Sequence, residues 1–271
     1  MTTPNGNRSA AAPAIATDGA FGLAGKVAIV TGGGSGIGRG IAEAFGRQGA
    51  HVVLTYMTSA DGANAAADVI RSAGGQASTL WADMTSEEDA ARVAETALTE
   101  YGQIDALVAN SGGLLQRSRV RDCSLDLWNR ALSVNLTSTF LACRAVLPHM
   151  EAAKSGAIVT VSSLAAHDGG GNGAAHYAAS KAGVLTFTKA LAKEVGGLGI
   201  RVNSVAPGLI GTQFHDQFNT PEGRLAVVGR TPLAREGTPA DVANTVLFLA
   251  SPLASFITGE TIEVNGGQGV F

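Results

Sequence analysis

The sequence predicts an α/β protein built on one parallel sheet with helices on both of its faces. Three observations carry that reading. Short β-branched runs alternate with longer helical patterns along nearly the whole chain, the mark of βαβ units. A glycine-rich turn follows the first such run and opens the first helical pattern. No linker or shift of composition cuts the chain after residue 25. A single domain over 23–271 is therefore expected behind an Ala/Thr/Pro-rich tail at 1–22.

The elements follow in order. KVAIVT (26–31) carries no polar residue after its lysine until its end, as a strand buried on both faces should. Beyond the glycine turn, Ile37, Ile41, Ala44 and Phe45 recur at helical spacing. HVVLTY (51–56) is the second strand, residues 61–74 a helix and QASTLWAD (76–83) the third strand. The helix from Ser86 opens on a capping serine followed by acids in its first turn, which suit the positive end of the helix dipole. IDALVAN (104–110) and GAIVTVSS (156–163) are strands separated by a long helical stretch from about Ser124 to Met150. A helix over 174–195, a sixth strand in IRVNSVAPG (200–208), a capped helix from Thr238 and a last strand in ETIEVNGG (260–267) complete the chain.

Composition excludes several functions. The 271 residues are 45% hydrophobic and 15% charged, and the net charge of -3 leaves no basic footprint for nucleic acid. No apolar run approaches the ~20 residues of a membrane span, and the N-terminal stretch has neither the charge nor the leucine-rich core of a signal peptide. Cys123 and Cys143 are too few for a disulfide framework, which fits a reducing, cytoplasmic setting. The five histidines show no metal-ligand spacing, so no metal site is expected.

Two motifs carry chemistry. TGGGSGIGRG (31–40) joins the first strand to the first helix, where exposed helix N–H groups can hold a pyrophosphate. It lacks the G-x-G-x-x-G spacing, the Lys-Ser/Thr of a Walker loop and the G-x-S-x-G of a nucleophile elbow. What remains is T-G-x-x-x-G-x-G on Thr31, Gly32, Gly36 and Gly38, and a purely structural turn stays open. HYAASK (176–181) sets Tyr177 and Lys181 one helical turn apart on one face. An ammonium beside a phenol favours the phenolate, so the pair is a plausible proton-transfer device.

With these motifs and the lesser ones between them, the chain from about Leu23 onward resembles the short-chain dehydrogenase/reductase family. ADM (82–84), ANSG (109–112), Val134-Asn135, VSS (161–163) and PGLIGT (207–212) stand in the order and places of that family's signatures. The resemblance implies a doubly wound Rossmann sheet of seven strands and a homotetramer, less often a dimer. It implies a catalytic set of Asn135, Ser163, Tyr177 and Lys181. Tyr177 would move the proton, Lys181 would lower its pKa and hold the nicotinamide ribose, Ser163 would bind the substrate oxygen, and Asn135 would hold a water linking Lys181 to solvent. It further implies cofactor contacts from Thr31, Gly32, Ser35, Gly36, Ile37 and Gly38; from Tyr56, Thr58 and Ser59; from Asp83 and Met84; from Asn110, Ser111 and Gly112; from Tyr177 and Lys181 themselves; and from Pro207, Gly208, Ile210 and Thr212.

The chain departs from the family in one place. The serine usually stands thirteen residues before the tyrosine, a position held here by Leu164, so HDGGGNGAAH is one residue longer than usual. Extra length in a glycine-rich loop costs little, and Ser163 aligns with the strand end, with Ser162 as the alternative.

The second strand ends in Tyr56 where an NAD site wants an acid, and Asp61 comes too late, which favours NADP(H) over NAD(H). Ser35 stands where a basic residue is common in NADP-using relatives, leaving hydroxyls and Arg39 to meet the phosphate.

Residues 209–235 read as a lid over a partly apolar substrate, with Phe214, Phe218, Leu225 and Val228. His167 and His176 flank the active loop, Trp128 and Phe140 suit a core or interface, and Arg117, Arg119 and Arg121 form a basic run beside the cleft. VLTYMTSADGA and RTPLAREGTPADVA look like 3-oxoacyl-carrier-protein reductases and their broad ketone-reducing relatives. An acyl-carrier protein is thus one expected partner, with Lys154 and Lys193 as candidate contacts, and a small carbonyl or alcohol the other. An NAD-dependent alcohol dehydrogenase or a catalytically silent NADP-binding protein are the alternatives.

Overall fold

The computed structural model describes residues 19–271. The expected tail lies outside the described residues up to position 18; at its end, Phe21 packs against the core. Seven strands form one parallel sheet: β1 (Val27–Val30), β2 (His51–Tyr56), β3 (Gln76–Trp81), β4 (Ala106–Ala109), β5 (Gly156–Val161), β6 (Ile200–Pro207) and β7 (Thr261–Val264). Their order is β3-β2-β1-β4-β5-β6-β7. The chain runs outward from β1 to β3, then returns to lay β4 on the other side of β1. That reversal opens a crevice beyond the carboxyl ends of β1 and β4, where α/β sheets bind ligands.

The helices are α1 (Gly36–Arg47), α2 (Ala60–Ser72), α3 (Glu87–Tyr101), α4 (Leu125–Leu132), α5 (Ser138–Ala153), α6 (Ala165–Asp168), α7 (Ala175–Val195), α8 (Gln213–Phe218), α9 (Pro221–Val228) and α10 (Pro239–Ala250). Because each central strand is buried on both faces, successive side chains feed two separate cores. Ala28, Val30, Val52 and Leu54 pack with Ile41, Phe45, Ile70, Val246 and Leu247 from α1, α2 and α10. Val27, Ile29, Val53 and Leu107 point the other way, onto Val93, Val146, Met150 and Val195 from α3, α5 and α7. Each fully buried Ile, Leu or Val contributes about 1.5–3 kcal/mol, so both layers hold the strand ends in place.

The capping serine is seen: Ser86 Oγ accepts from Asp89 N. Thr238 and Asp241 form a reciprocal capping box at α10, and Arg235 clamps Asp241 through two bonds of 2.8 Å. The long stretch after Ser124 is one continuous helical rod of 29 residues, with α4 and α5 joined by a π-helical turn at Ser133–Thr137. By length and mean hydropathy alone it could cross a membrane, although, as expected, it contains no unbroken apolar run of that length. Leu141, Ala142, Cys143, Val146 and Met150 nevertheless bury its inner side in the core, which accounts for its apolar character.

Candidate active site

The glycine turn builds the first wall of the crevice. Gly32 and Gly36 take φ of 65° and 52°, the left-handed region that a side chain strains to enter. A Cβ at Gly38 would stand inside contact distance of the Gly32 carbonyl oxygen and Asn110 Nδ2. Thr31 and Asn110 stitch the two strand ends together. Thr31 Oγ1 accepts from the N–H groups of Asn110 and Ser111 at 2.9 and 3.0 Å, and Asn110 Nδ2 donates to the carbonyls of Thr31 and Gly32.

At the start of α1, Ser35 forms no side-chain cap and no acid occupies the first turn. Bare N–H groups, a positive dipole end and glycines that admit close approach fit a dinucleotide's pyrophosphate.

Tyr56, Thr58, Ser59, Asp83 and Met84 line the neighbouring corner. Ser59 Oγ donates to the Gly34 carbonyl at 3.1 Å, and Asp83 Oδ1 accepts from Thr85 N and Thr85 Oγ1. Asp83 is the one carboxylate among the described residues lining this end. Arg39 is held by Glu43 at 2.7 Å and does not line the cleft, so it is not positioned to meet a phosphate as expected.

A cleft of about 870 Å3 runs from this cradle to the far side of β5. Ser162 and Ser163 end β5, and their hydroxyls have separate roles. Ser162 is buried and donates to the Lys181 carbonyl at 2.9 Å. Ser163 faces the Tyr177 phenol closely enough to favour its ionised form. Beyond α6 the glycine-rich loop turns sharply, with Gly169, Gly170 and Gly173 all at positive φ. Tyr177 and Lys181 rise from the first turns of α7 into the cleft.

The lowering of Tyr177 by Lys181 expected from the sequence is replaced by the opposite shift. Burial pushes the phenol up, and Ser163 opposes it. Lys181 Nζ donates to the Val161 carbonyl at 2.7 Å and stands 5.9 Å from the phenol ring centre. Burial also brings the Lys181 ammonium down to about 8.

Asn135 sits in the π-helical turn, fully buried. Its Oδ1 accepts from Gly113 N, and its Nδ2 donates to the carbonyls of Gly113 and Ala131, each at 2.9 Å. It therefore pins the loop after β4 beneath Lys181 rather than lining the cleft. Gly112 fits between them: a Cβ there would lie 3.3 Å from Lys181 Nζ.

Of the other sequence candidates, Gly32, Ser35, Gly36, Ile37, Gly38, Asn110, Ser111, Gly112, Pro207, Gly208 and Thr212 line the cleft. Thr31 and Ile210 do not: Thr31 lies beneath it as the strand clamp, and Ile210 is buried in the core and bridges to Gly237. The lid forms α8 and α9, closed by Arg224 on Asp216 and Glu236. Phe214 lies 6.2 Å from the Tyr177 ring, and burial holds His215 down at about 4, neutral at physiological pH.

His176 turns away from the main cleft, with Nε2 3.1 Å from the Leu114 carbonyl, and lines a separate cavity of about 320 Å3. His167 pairs with Glu263 at 3.0 Å and stacks on Phe271, outside the cleft. Trp128 and Phe140 are surface residues, 37% and 41% exposed. Gln268 and Arg230 also line the cleft, and no motif marked them. No metal-ligand cluster is found among the described residues.

A family model described as enoyl-(acyl carrier protein) reductase matches residues 32–268. The chain is 40% identical over 246 residues to a 3-oxoacyl-[acyl-carrier-protein] reductase of Chlamydia muridarum, covering 91% of this chain and 98% of that one. It is 39% identical over 245 residues to a 7alpha-hydroxysteroid dehydrogenase of Escherichia coli, covering 90% and 94%. Two solved structures superimpose closely. A 7 alpha-hydroxysteroid dehydrogenase complexed with NADH and 7-oxo glycochenodeoxycholic acid gives a TM-score of 0.86 at 38% identity, over 90% of this chain and 94% of that one. A putative NAD(P)-dependent gluconate 5-dehydrogenase from Beutenbergia cavernae with bound NADP gives 0.84 at 40% identity, over 91% and 97%.

Proposed function

The chain belongs to the short-chain dehydrogenase/reductase family and is an NAD(P)-dependent oxidoreductase, and from that premise we propose that it reduces a ketone to a secondary alcohol, or the reverse, with NADP(H). The carrying observation is the convergence of Ser163, Tyr177 and Lys181 in one cleft with the glycine cradle at its other end. The cofactor supplies the hydride. Ser163 donates a hydrogen bond to the substrate oxygen, where negative charge grows as the carbonyl is reduced. Tyr177 delivers its hydroxyl proton to that oxygen, and its raised pKa keeps the proton in place until it is needed. Lys181 stands as the nearby positive charge for the phenolate left behind, and Asn135 keeps the floor under it rigid.

NADP(H) is favoured because the residues at and just past the end of β2, Tyr56, Thr58 and Ser59, carry hydroxyls and no acid, the one carboxylate of that corner being Asp83 beyond β3. Tyr56→Asp is expected to swing the NADPH-to-NADH ratio of kcat/KM toward NADH. An unchanged ratio would sink this assignment and favour the NAD-dependent reading, to which the NADH complex of the hydroxysteroid relative lends weight.

The substrate is a small or cyclic ketone, or a 3-oxoacyl group on a carrier protein as the names of several relatives suggest. The proposal also places the protein in the cytoplasm as a homotetramer. The exposed Leu125, Trp128 and Phe140 along the α4–α5 rod would form one of its contacts. A panel of β-ketoesters, quinones and cyclic ketones, run with NADPH and NADH in parallel, tests the reading. Cofactor binding with turnover of none would instead make the protein a silent sensor.

The pH dependence follows from Lys181. Its ammonium is intact below about pH 8 and is lost as pH rises through that value. Ketone reduction is expected to hold its kcat/KM below pH 8 and to fall above it. A profile flat through the range would show that the ammonium is not needed. The sign for stability is opposite. The folded pKa lies below the unfolded value of 10.5, so the burial cost is felt below about pH 8 and relieved as pH rises from there toward 10.5.

A further inference from the structure

The substrate end of the cleft carries positive charge that no carboxylate among the described residues answers. Arg117 leaves the loop after β4 and lines the cleft. Its Nε donates to the Phe218 carbonyl at 3.2 Å, and its two terminal nitrogens donate to the Asn172 carbonyl at 2.9 Å and Asn219 Oδ1 at 3.0 Å. All three acceptors are neutral, so the guanidinium is fixed in place with its charge intact. Three of its five N–H groups are used. One remains on each terminal nitrogen, the pair that grips a carboxylate or phosphate from two sides.

Arg230, just past α9, lines the same cleft and makes no side-chain hydrogen bond or ion pair among the described residues. The other lid arginines are neutralised: Arg224 by Asp216 and Glu236, Arg235 by Asp241. Asp168 also lines the cleft, but its Oδ1 accepts from Gly170 N at 2.7 Å and it pairs with neither arginine.

The glycine-rich loop after α6 helps to build the seat of Arg117. A Cβ at Gly171 would lie 3.1 Å from a terminal nitrogen of Arg117, and one at Gly173 would lie 3.2 Å from the Arg117 Cβ. Side chains there would crowd Arg117 and force it to shift. Phe214 gives the cleft an apolar wall beside the phenol, and Phe218 packs against it on the side of this seat. Tyr177 and Phe214 are 6.2 Å apart, Phe214 and Phe218 5.0 Å, and the Phe218 carbonyl is bound by Arg117.

We propose that Arg117, with Arg230 as a second cation, receives an anionic oxygen group of the substrate, a carboxylate or a phosphate, separated from the reacting carbonyl by an apolar body. This deepens the ketone-reductase reading and rests on it. The substrate would then be an oxo or hydroxy acid, or an oxoacyl chain on a phosphate-bearing arm.

The test compares levulinate, an oxo fatty acid and an oxo steroid acid with their methyl esters, and a 3-oxoacyl pantetheine with and without its phosphate. An acid-to-ester ratio of kcat/KM of roughly ten to a hundred is expected, the size of a lost hydrogen bond to a charged group. It should arise in KM, shrink with added salt, and fall toward unity in Arg117→Gln. A phosphate effect without a carboxylate effect would assign the site to the pantetheine arm. Arg117→Lys should keep part of the preference, and Arg230→Gln reads the second cation if the first variant does not fold. Equal use of acids and esters together with equal use of the pantetheine substrate with and without its phosphate, or a preference untouched in both Gln variants, overturns the proposal. Should no ketone be turned over, calorimetric binding of the same pairs to the NADPH-bound protein still decides it. The reductase reading would then have failed, while a bound acid and an unbound ester would sustain the anion site.

Discussion

Tyr177→Phe is expected to lower ketone reduction by about 10²–10⁴-fold, the usual weight of a positioned proton donor. The substitution removes one oxygen and keeps the ring. Phe214, 6.2 Å away, still has its aromatic neighbour, and α7 keeps its buried side, so folding should be undisturbed. Cofactor affinity should also hold, because the glycine cradle at the start of α1 is untouched.

The loss should fall on kcat, since the proton is transferred as charge builds on the substrate oxygen. Ser163→Ala serves as the companion measurement. It removes the group that faces the phenol and, on the proposed reading, the donor to the substrate oxygen. The double variant should lose much less than the product of the two single losses, because the groups act on one atom. Residual activity of Tyr177→Phe within tenfold of the native protein would remove the phenol from the proton path.

Much of this site was legible in the chain, and the parts that were not share a cause. Strand and helix patterns are local, so β1 through β7, the Ser86 cap and the Thr238 cap could be read residue by residue. The glycine turn and the Tyr177–Lys181 spacing are also local, and the structure brings both to the cleft.

Direction in space is not local. Lys181 turns to the Val161 carbonyl because β5 passes beneath α7, and nothing in HYAASK encodes that. Thr31 and Ile210 fall in known motifs, yet one clamps β4 and the other fills the core, since Thr31 answers to Asn110 and Ile210 to Gly237, both distant in the chain. The π-helical turn at Asn135 is likewise invisible in a helical pattern, although such turns gather at functional sites. Arg117 was visible only as part of a basic run. Its fixed position depends on Asn172 and on the lid, far along the chain.

Gly38→Ala is expected to damage the cofactor site more than any other single methyl in the turn. An alanine Cβ there would press on the Gly32 carbonyl oxygen and Asn110 Nδ2, and lie 2.9 Å from the Gly32 carbonyl carbon. None of these atoms is the loose end of a flexible chain. Gly32 is held at positive φ, with its N–H bonded to Thr55 Oγ1 at 3.1 Å, and Asn110 is the clamp between β1 and β4.

Relief therefore requires moving the strand ends apart or tilting α1, and either displaces the N–H groups proposed to meet the pyrophosphate. Overpacking of this kind costs about 1–3 kcal/mol, which for a chain of this size lowers Tm by about 2–4 °C per kcal/mol. NADPH affinity should fall by about tenfold or more, the equivalent of about 1.4 kcal/mol. Gly36→Ala separates steric overlap from torsional strain. Its Cβ would meet only Thr212, at 3.6 Å, so the penalty comes from φ of 52° alone, about 1–2 kcal/mol. Gly38→Ala should weaken NADPH binding more than Gly36→Ala at a similar loss of stability. If both variants lose stability yet bind NADPH as the native protein does, the turn is a structural corner and the cofactor lies elsewhere.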